Sequence, residues 1–293
     1  MTYFPLATIK KSIKQSLIVT TLIKMIISIT IVVLLTSSVV YFFVLSELEQ
    51  QSVSNLENYI SERGMNESTS FQLAEDNQKA FKFSFLSEWE KTQSLNVSER
   101  FNELFEKQKD DTNRMPLSIY EGKRRLDGSL SYYISGYIGK NVTITPELQQ
   151  KIILSYQLID RFAQAWHTSF PNLYISTPEN VAIYHWPGIT WGLNASADLD
   201  INDEEWVYVA NSENNPGREQ VWTGLYFDQT ANEWVVSGET PIYINDQHML
   251  TVGNDILLKD LINRTYNDHL QGTYNFIIKD NGRLIAHLNV NRS

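Results

Sequence analysis

The sequence predicts an α+β protein that begins with a transmembrane helix, and three observations carry that prediction. A charge-free apolar run lies near the start, helical periodicity dominates the stretch after it, and short alternating segments take over beyond Met115. Ile26 to Leu45 (IISITIVVLLTSSVVYFFVL) contains no charged residue, Pro or Gly. About 20 apolar residues rising 1.5 Å each cross a hydrocarbon core of roughly 30 Å. A buried core helix of the same length would show a polar stripe, and this run has none.

The flanking charges orient the span. Lys10, Lys11, Lys14 and Lys24 precede it, and no acid occurs before Glu47. Lys-rich flanks stay on the cytoplasmic side, so residues 1–25 are expected inside, 26–45 across the membrane and everything after residue 46 outside. Tyr41, Phe42 and Phe43 fall near the outer interface, where aromatic rings settle. A cleaved signal peptide would have a shorter apolar region followed by a small-x-small site; here Val44-Leu-Ser-Glu-Leu-Glu49 continues as helix.

Residues 46–110 read as a long helical stalk. Leu48, Val53, Leu56, Ile60, Phe71, Leu73 and Ala74 recur at helical intervals up to about Lys91, with a break expected near Gly64. A second helix is expected over Ser98–Lys109, with Phe101, Leu104 and Phe105 on one face. A stalk above an anchor favours a parallel homodimer.

The β part follows. Ser129–Gly139 alternates as a strand. Thr145-Pro146-Glu147 opens a helix, with Thr as N-cap and Pro in the first helical position; Leu148, Ile152, Tyr156, Ile159, Ala163 and Trp166 form its apolar face. Further strands are expected at Leu173–Ser176, Val181–His185, Val221–Phe227, Trp234–Gly238, Ile242–Ile244 and Met249–Gly253. A helix over Ile256–Tyr266 and a hairpin turning at Asn281-Gly282 complete the reading.

Composition narrows the function. A net charge of -10 argues against nucleic acid as a partner. The absence of Cys excludes disulfides and thiolate metal sites. Asp198, Asp200 and Asn202 match the first alternate ligands of a calcium loop, but Asp203 stands where Gly belongs and Val209 where the closing Glu belongs. The five His show no metal-ligand spacing, and no nucleophile elbow, P-loop or dinucleotide motif occurs. No catalytic residue, metal or cofactor is therefore predicted. Fifteen Tyr and seven Trp suit a strand-rich fold and a pocket that holds a small ligand by ring contacts.

Tyr226 and Asp228 alternate on one strand and so share a face. Asp255, read as the start of the next helix, can reach the same space. Two carboxylates and a ring around one cavity suit a cationic amine. The two Asp also suit the capping of a turn and a helix, and Trp206, Trp222 and Trp234 suit core packing as well as a pocket wall.

Three segments carry a resemblance: VWTGLYFDQTANEWVVSGETPIY (Val221–Tyr243), TVGNDILLKDL (Thr251–Leu261) and FIIKDNGRLIAH (Phe276–His287). Together they resemble the double Cache sensor domains of bacterial chemoreceptors, sensor kinases and cyclic-di-GMP enzymes. The resemblance implies two PAS-like antiparallel sheets on a long N-terminal helix, outside the bacterial cell membrane. The membrane-distal subdomain would be 111–270, and 271–293 would begin a membrane-proximal one, incomplete where the sequence stops. It implies a small-molecule sensing module with a diguanylate cyclase or histidine kinase output; an anchored, non-catalytic adhesion module of the same fold is the alternative. It further implies that Tyr226, Asp228 and Asp255 line the pocket, Asp255 holding the ligand's ammonium, with Trp206 as a wall. The amino-acid-binding pattern also has an Arg two residues before a Trp-aromatic pair, and here Glu204 and Val207 replace the Arg and the second ring. The expected ligand is thus an amine or other small polar molecule rather than an ordinary amino acid, unless Arg218 takes the missing role.

Overall fold

The computed structural model describes residues 6–92, 96–124, 130–267, 276–278 and 284–286. The chain forms two compact units, residues 1–67 and 68–293. The first unit is helical throughout its described length, as part of helix α1 (Leu6–Thr92). Its large apolar side chains from Leu17 to Leu45 are all exposed, and the helix is long and apolar enough to cross a membrane, with a mean hydropathy of 2.6 over its most apolar stretch. The hydroxyls in this stretch turn back onto their own helix: Thr36 Oγ1 donates to the Val32 carbonyl (2.9 Å) and Ser38 Oγ to that of Leu34 (2.8 Å). Such back-bonding satisfies a hydroxyl where no water is available. The break expected near Gly64 is absent; α1 runs straight through it.

The second unit is α+β. Its helices are the rest of α1, α2 (Ser98–Leu104), α3 (Leu117–Glu121), α4 (Pro146–Trp166), α5 (Trp191–Asn194), α6 (Glu205–Tyr208) and α7 (Leu258–Asn267). Its strands are β1 (Glu106–Lys107), β2 (Asn113–Arg114), β3 (Lys123–Arg124), β4 (Leu130–Ser131), β5 (Ile134–Ile138), β6 (Leu173–Thr177), β7 (Val181–His185), β8 (Val221–Trp222), β9 (Tyr226–Asp228), β10 (Glu233–Ile244), β11 (Gln247–Leu257), β12 (Ile277–Ile278) and β13 (Leu284–Ala286). One open antiparallel sheet runs in the order β1-β2-β5-β7-β6-β11-β10-β8, with β9 also paired to β10. The two short strands β12 and β13 pair antiparallel as the expected hairpin requires, and its Asn281-Gly282 turn lies outside the described residues.

Several expected boundaries move. The helix from Ser98 ends at Leu104, because Phe105 is extended and the chain enters the β1–β2 hairpin. Ser129–Gly139 is interrupted at Tyr133, whose φ is +64°. Val221–Phe227 divides into β8 and β9. Trp234–Gly238 and Ile242–Ile244 are instead one strand, β10, that passes through Pro241. A proline is tolerated there because β8 pairs only with Glu239 and Gly238, so at Pro241 the strand needs no donor on that side. The β10–β11 turn is Asn245-Asp246, both at positive φ, as a tight hairpin demands. Finally, β11 continues to Leu257, so Asp255 is a strand residue and caps no helix.

Strand alternation divides the core in two. One face carries Leu173, Ile175, Val181, Ile183, Ile242 and Val252, packed with Phe81 and Phe85 of α1 and Ile152 and Ile159 of α4. α4 starts as the sequence indicates, Thr145 Oγ1 accepting from the Leu148 amide at 3.1 Å. The other face carries Tyr137, Tyr174, Tyr184, Val235 and Leu257 against Trp191 and Trp206.

Candidate ligand site

The aromatic face of the sheet holds the site. Trp191 is placed by close approach: α5 lies so near β5 that a Cβ on Gly192 would stand 2.7 Å from the Gly136 backbone. Arg114 fixes this geometry. Its guanidinium donates to the carbonyls of Gly192 (2.9 Å), Leu193 (3.0 Å) and Ala195 (2.8 Å), the acceptors a short helix leaves unpaired at its end. Tyr174, Tyr184 and Trp191 then form a continuous stack, with centroids 4.5 and 4.4 Å apart. Trp206, carried on α6, stands nearly perpendicular to the stack, 5.4 Å from Tyr174 and 5.8 Å from Trp191.

Beside these rings is a cavity of about 300 Å³, lined chiefly by Trp191, Glu204, Trp206, Tyr226, Phe227 and Asp228. Among the described residues, no Lys, Arg or His lines it. Tyr226, Asp228 and Trp206 are therefore brought together at one cavity, and Asp255 is not among its lining residues. Asp228 is heavily engaged: Oδ1 accepts from the amides of Thr230 (2.8 Å) and Ala231 (2.9 Å), and Oδ2 from the Trp191 indole (3.1 Å). It thus caps the β9–β10 turn while presenting a wall of the cavity. Burial raises its pKa, and these three donors oppose the rise. Glu204 is raised by burial first, then by the charges of Asp228 and Asp203. Arg218 lies elsewhere, paired with Asp246 at 2.8 Å and 4.4 Å from the Tyr243 ring, so it does not supply the missing cation. Asp198 and Asp200 of the calcium-like segment are likewise occupied, by Lys140 (2.6 Å) and by the Asn202 amide (3.0 Å).

Asp255 sits one layer behind the cavity. It accepts from Asn172 Nδ2 (2.5 Å), Ser237 Oγ (2.6 Å) and the Tyr174 hydroxyl (3.2 Å). Ser237 Oγ in turn bonds the Tyr226 hydroxyl at 2.8 Å, which links Asp255 to the cavity wall. Burial lifts the Asp255 pKa to about 7, against the pull of its donors. Glu239, two residues beyond Ser237 on the same strand face, accepts from the Tyr174 hydroxyl and is fully buried. Gly253 makes that contact feasible: it lies between Tyr174 and Glu239 in the register, and a Cβ there would stand 2.5 Å from the Tyr174 ring and 2.6 Å from Glu239 Oε2.

Sequence reasoning missed Glu239, Tyr174, Asn172 and Trp191. For Glu239 a signal exists: it shares the alternation of Val235 and Ser237, and an acid on the inward face of a strand asks for a reason. Trp191 lies in a loop-like stretch without periodicity, and nothing local marks it.

No family model and no curated protein matches the sequence. Among solved structures, the chain is similar to the ligand-binding domain of the Pseudomonas fluorescens chemoreceptor CtaA in complex with L-serine, at 20% identity and a TM-score of 0.36, covering 43% of this chain and 51% of that one. It is similar also to the ligand-binding domain of the Pseudomonas aeruginosa PAO1 amino acid chemoreceptor PctB in complex with L-Gln (18%, TM-score 0.36, 43% and 49%). A third match is the ligand-binding domain of Mlp24 with asparagine (22%, TM-score 0.38, 48% and 55%). The chain spans about half the length of these domains.

Proposed function

We propose that this chain is the extracytoplasmic small-molecule sensing module of a bacterial membrane receptor. In this reading residues 1–25 are cytoplasmic, 26–45 cross the cell membrane, 46–110 form the stalk and 111–270 the membrane-distal ligand-binding subdomain. Residues 271–293 begin the membrane-proximal subdomain. The receptor is a homodimer through its stalk and drives a diguanylate cyclase or histidine kinase output.

The observation that carries the ligand class is the charge of the cavity. Glu204 and Asp228 line it with Trp191, Trp206 and Tyr226, and among the described residues no basic side chain does. A ligand carboxylate would meet two acids there, whereas a cationic amine gains charge-assisted hydrogen bonds and ring contacts. Glu204 is the principal counter-charge, because Asp228 already accepts three hydrogen bonds. Tyr226, Asp228 and Trp206 touch the ligand. Asp255 acts through Ser237 and Tyr226, holding the Tyr226 ring in place.

A thermal-shift screen of amines, amino acids and carboxylates against the full chain in detergent tests this. Amines should raise the melting temperature, and Glu204→Gln should weaken the best of them about ten- to a hundredfold, the worth of one charged hydrogen bond. Stabilisation by carboxylates alone would overturn the reading. One observation favours the alternative, a non-catalytic adhesion module: Phe227 and Trp234 form a ring pair 5.5 Å apart, 41% and 49% exposed, beside the cavity. That reading expects Trp234→Ala to abolish surface attachment and to leave amine binding unchanged.

A further inference from the structure

Two acids lie behind the cavity with no cation beside them among the described residues. Glu239 and Asp255 are 0% and 1% exposed, on adjacent strands of the same sheet face. Their neighbours with ionisable groups are Tyr174 on β6, Tyr184 on β7, and Tyr226 and Asp228 on β9, none of which carries positive charge. Four charged groups on other elements packed against these strands are committed elsewhere. On α1, Glu75 accepts from the Trp222 indole and Lys82 donates to the Pro241 carbonyl. Glu205 of α6 accepts from the Gly224 amide, and Lys259 of α7 pairs with Glu233.

Counting hydrogens shows what is missing. The Tyr174 hydroxyl has one hydrogen, yet it lies within hydrogen-bond distance of both Glu239 Oε1 and Asp255 Oδ1. With both acids ionised, one of these contacts sets oxygen against oxygen with no hydrogen between. Glu239 Oε2 is buried without any hydrogen-bond partner. A buried charge without a partner is costly enough that such groups bind a proton instead. One proton on the pair fills the empty contact, and two neutralise it; acids this close titrate as a pair rather than singly.

We propose that the Glu239–Tyr174–Asp255 cluster is a proton-binding site, through which the domain reads the acidity of its surroundings as an input separate from the ligand in the cavity. The burial that raises both carboxyls above their ordinary range acts in the same sense. Loss of the proton is felt at the cavity by two routes: Trp206 packs against Tyr174, and the Tyr226 hydroxyl is held by Ser237, whose own hydrogen goes to Asp255. The site does not depend on what the cavity binds.

Infrared difference spectroscopy on the full chain in detergent, with no ligand added, tests the proposal. The wild type should show the carbonyl stretch of a protonated carboxylic acid near neutral pH, where ordinary Asp and Glu are carboxylates. Glu239→Gln or Asp255→Asn should remove intensity from it. Raising the pH should titrate the band away together with a change in tryptophan emission. Absence of the band at neutral pH overturns the proposal, as does a band that survives both substitutions or one that titrates with no change in emission. If Glu239→Gln does not fold, Tyr174→Phe serves: it keeps the ring and removes the shared hydrogen, so the midpoint of the band must move, and an unmoved midpoint is equally fatal.

Discussion

Asp228 and Asp255 are both buried acids near one cavity, and their surroundings give them different work. Asp228 collects two backbone amides and an indole, the arrangement of a turn cap. Asp255 is bonded by side chains on two strands, Ser237 of β10 and Tyr174 of β6 with Asn172 just before it, and its pKa rises from 3.8 to about 7 through burial. Between those values the folded state holds a proton that the unfolded state has lost. The stability Asp255 contributes is therefore complete below about pH 4 and declines as pH rises to about 7, by at most about 4 kcal/mol at ~1.4 kcal/mol for each pH unit. Asp255→Asn removes this contribution and leaves only that of Glu239. Urea unfolding from pH 4 to pH 8 should show wild type losing stability more steeply than the variant; parallel curves would remove the assigned shift. The sequence announced Asp255 as a helix start because Asp commonly caps and Ile256-Leu257-Leu258 suits a helix. The same three residues suit a strand buried on both faces, and only the ladder to Val235, Val236 and Ser237 decides between them.

At the scale of elements, β10 and β11 join the site to α1. Gln78 of α1, fully buried, donates to the Gly238 carbonyl (2.8 Å) and accepts from Thr240 Oγ1 (2.7 Å). Gln78→Ala should cost about 1–3 kcal/mol, because it leaves buried polar groups unpaired; chemical denaturation of the full chain measures it, and a change near zero would show that water replaces the amide. Gly253→Ala should be comparably harmful, since its new Cβ would meet both the Tyr174 ring and Glu239. The helices α1 and α4 were legible from the 3.6-residue spacing of their apolar residues and from the Thr145-Pro146 start. The strands from β4 onward were legible as strands, but not in their lengths, whereas β1 falls inside a stretch expected to be helix and β2 and β3 were not expected. The gap expected between Gly238 and Ile242 is bridged by strand, because Pro241 needs no partner on its β8 side, and Tyr133 gave no hint of the backbone that splits β4 from β5.

At the scale of the whole molecule, two predictions concern the membrane. If the four lysines before the span hold the N-terminus in the cytoplasm, a reporter active only outside the cytoplasm, fused after Ser293, should be active; activity of a cytoplasm-only reporter at that site would reverse the orientation. Leu48, Val53, Leu56 and Ile60 are exposed on α1, apolar surface that a second copy would cover. Cysteines introduced at Leu56 or Ile60 should crosslink between copies in membranes, and persistent monomers without crosslinks would argue against the parallel dimer. The long apolar helix was fully legible, since length and the lack of charge decide it. The cavity was legible only in part. Tyr226 and Asp228 share the face of one strand, whereas Trp191, Glu204 and Trp206 reach them only through the packing of α5 and α6 over the sheet.

The alternation along β10 has a consequence for how such a protein can diversify. Val235, Ser237 and Glu239 belong to the aromatic side, whereas Thr240 and Ile242 meet α1 and its core. The layer behind the cavity and the grip on the helix are therefore written in interleaved letters of a single strand. Exchanging the odd-numbered letters alters the packing behind the pocket wall and leaves the mechanical coupling to α1 in place. A library randomised at those positions alone varies that backing layer without loosening the part that holds it.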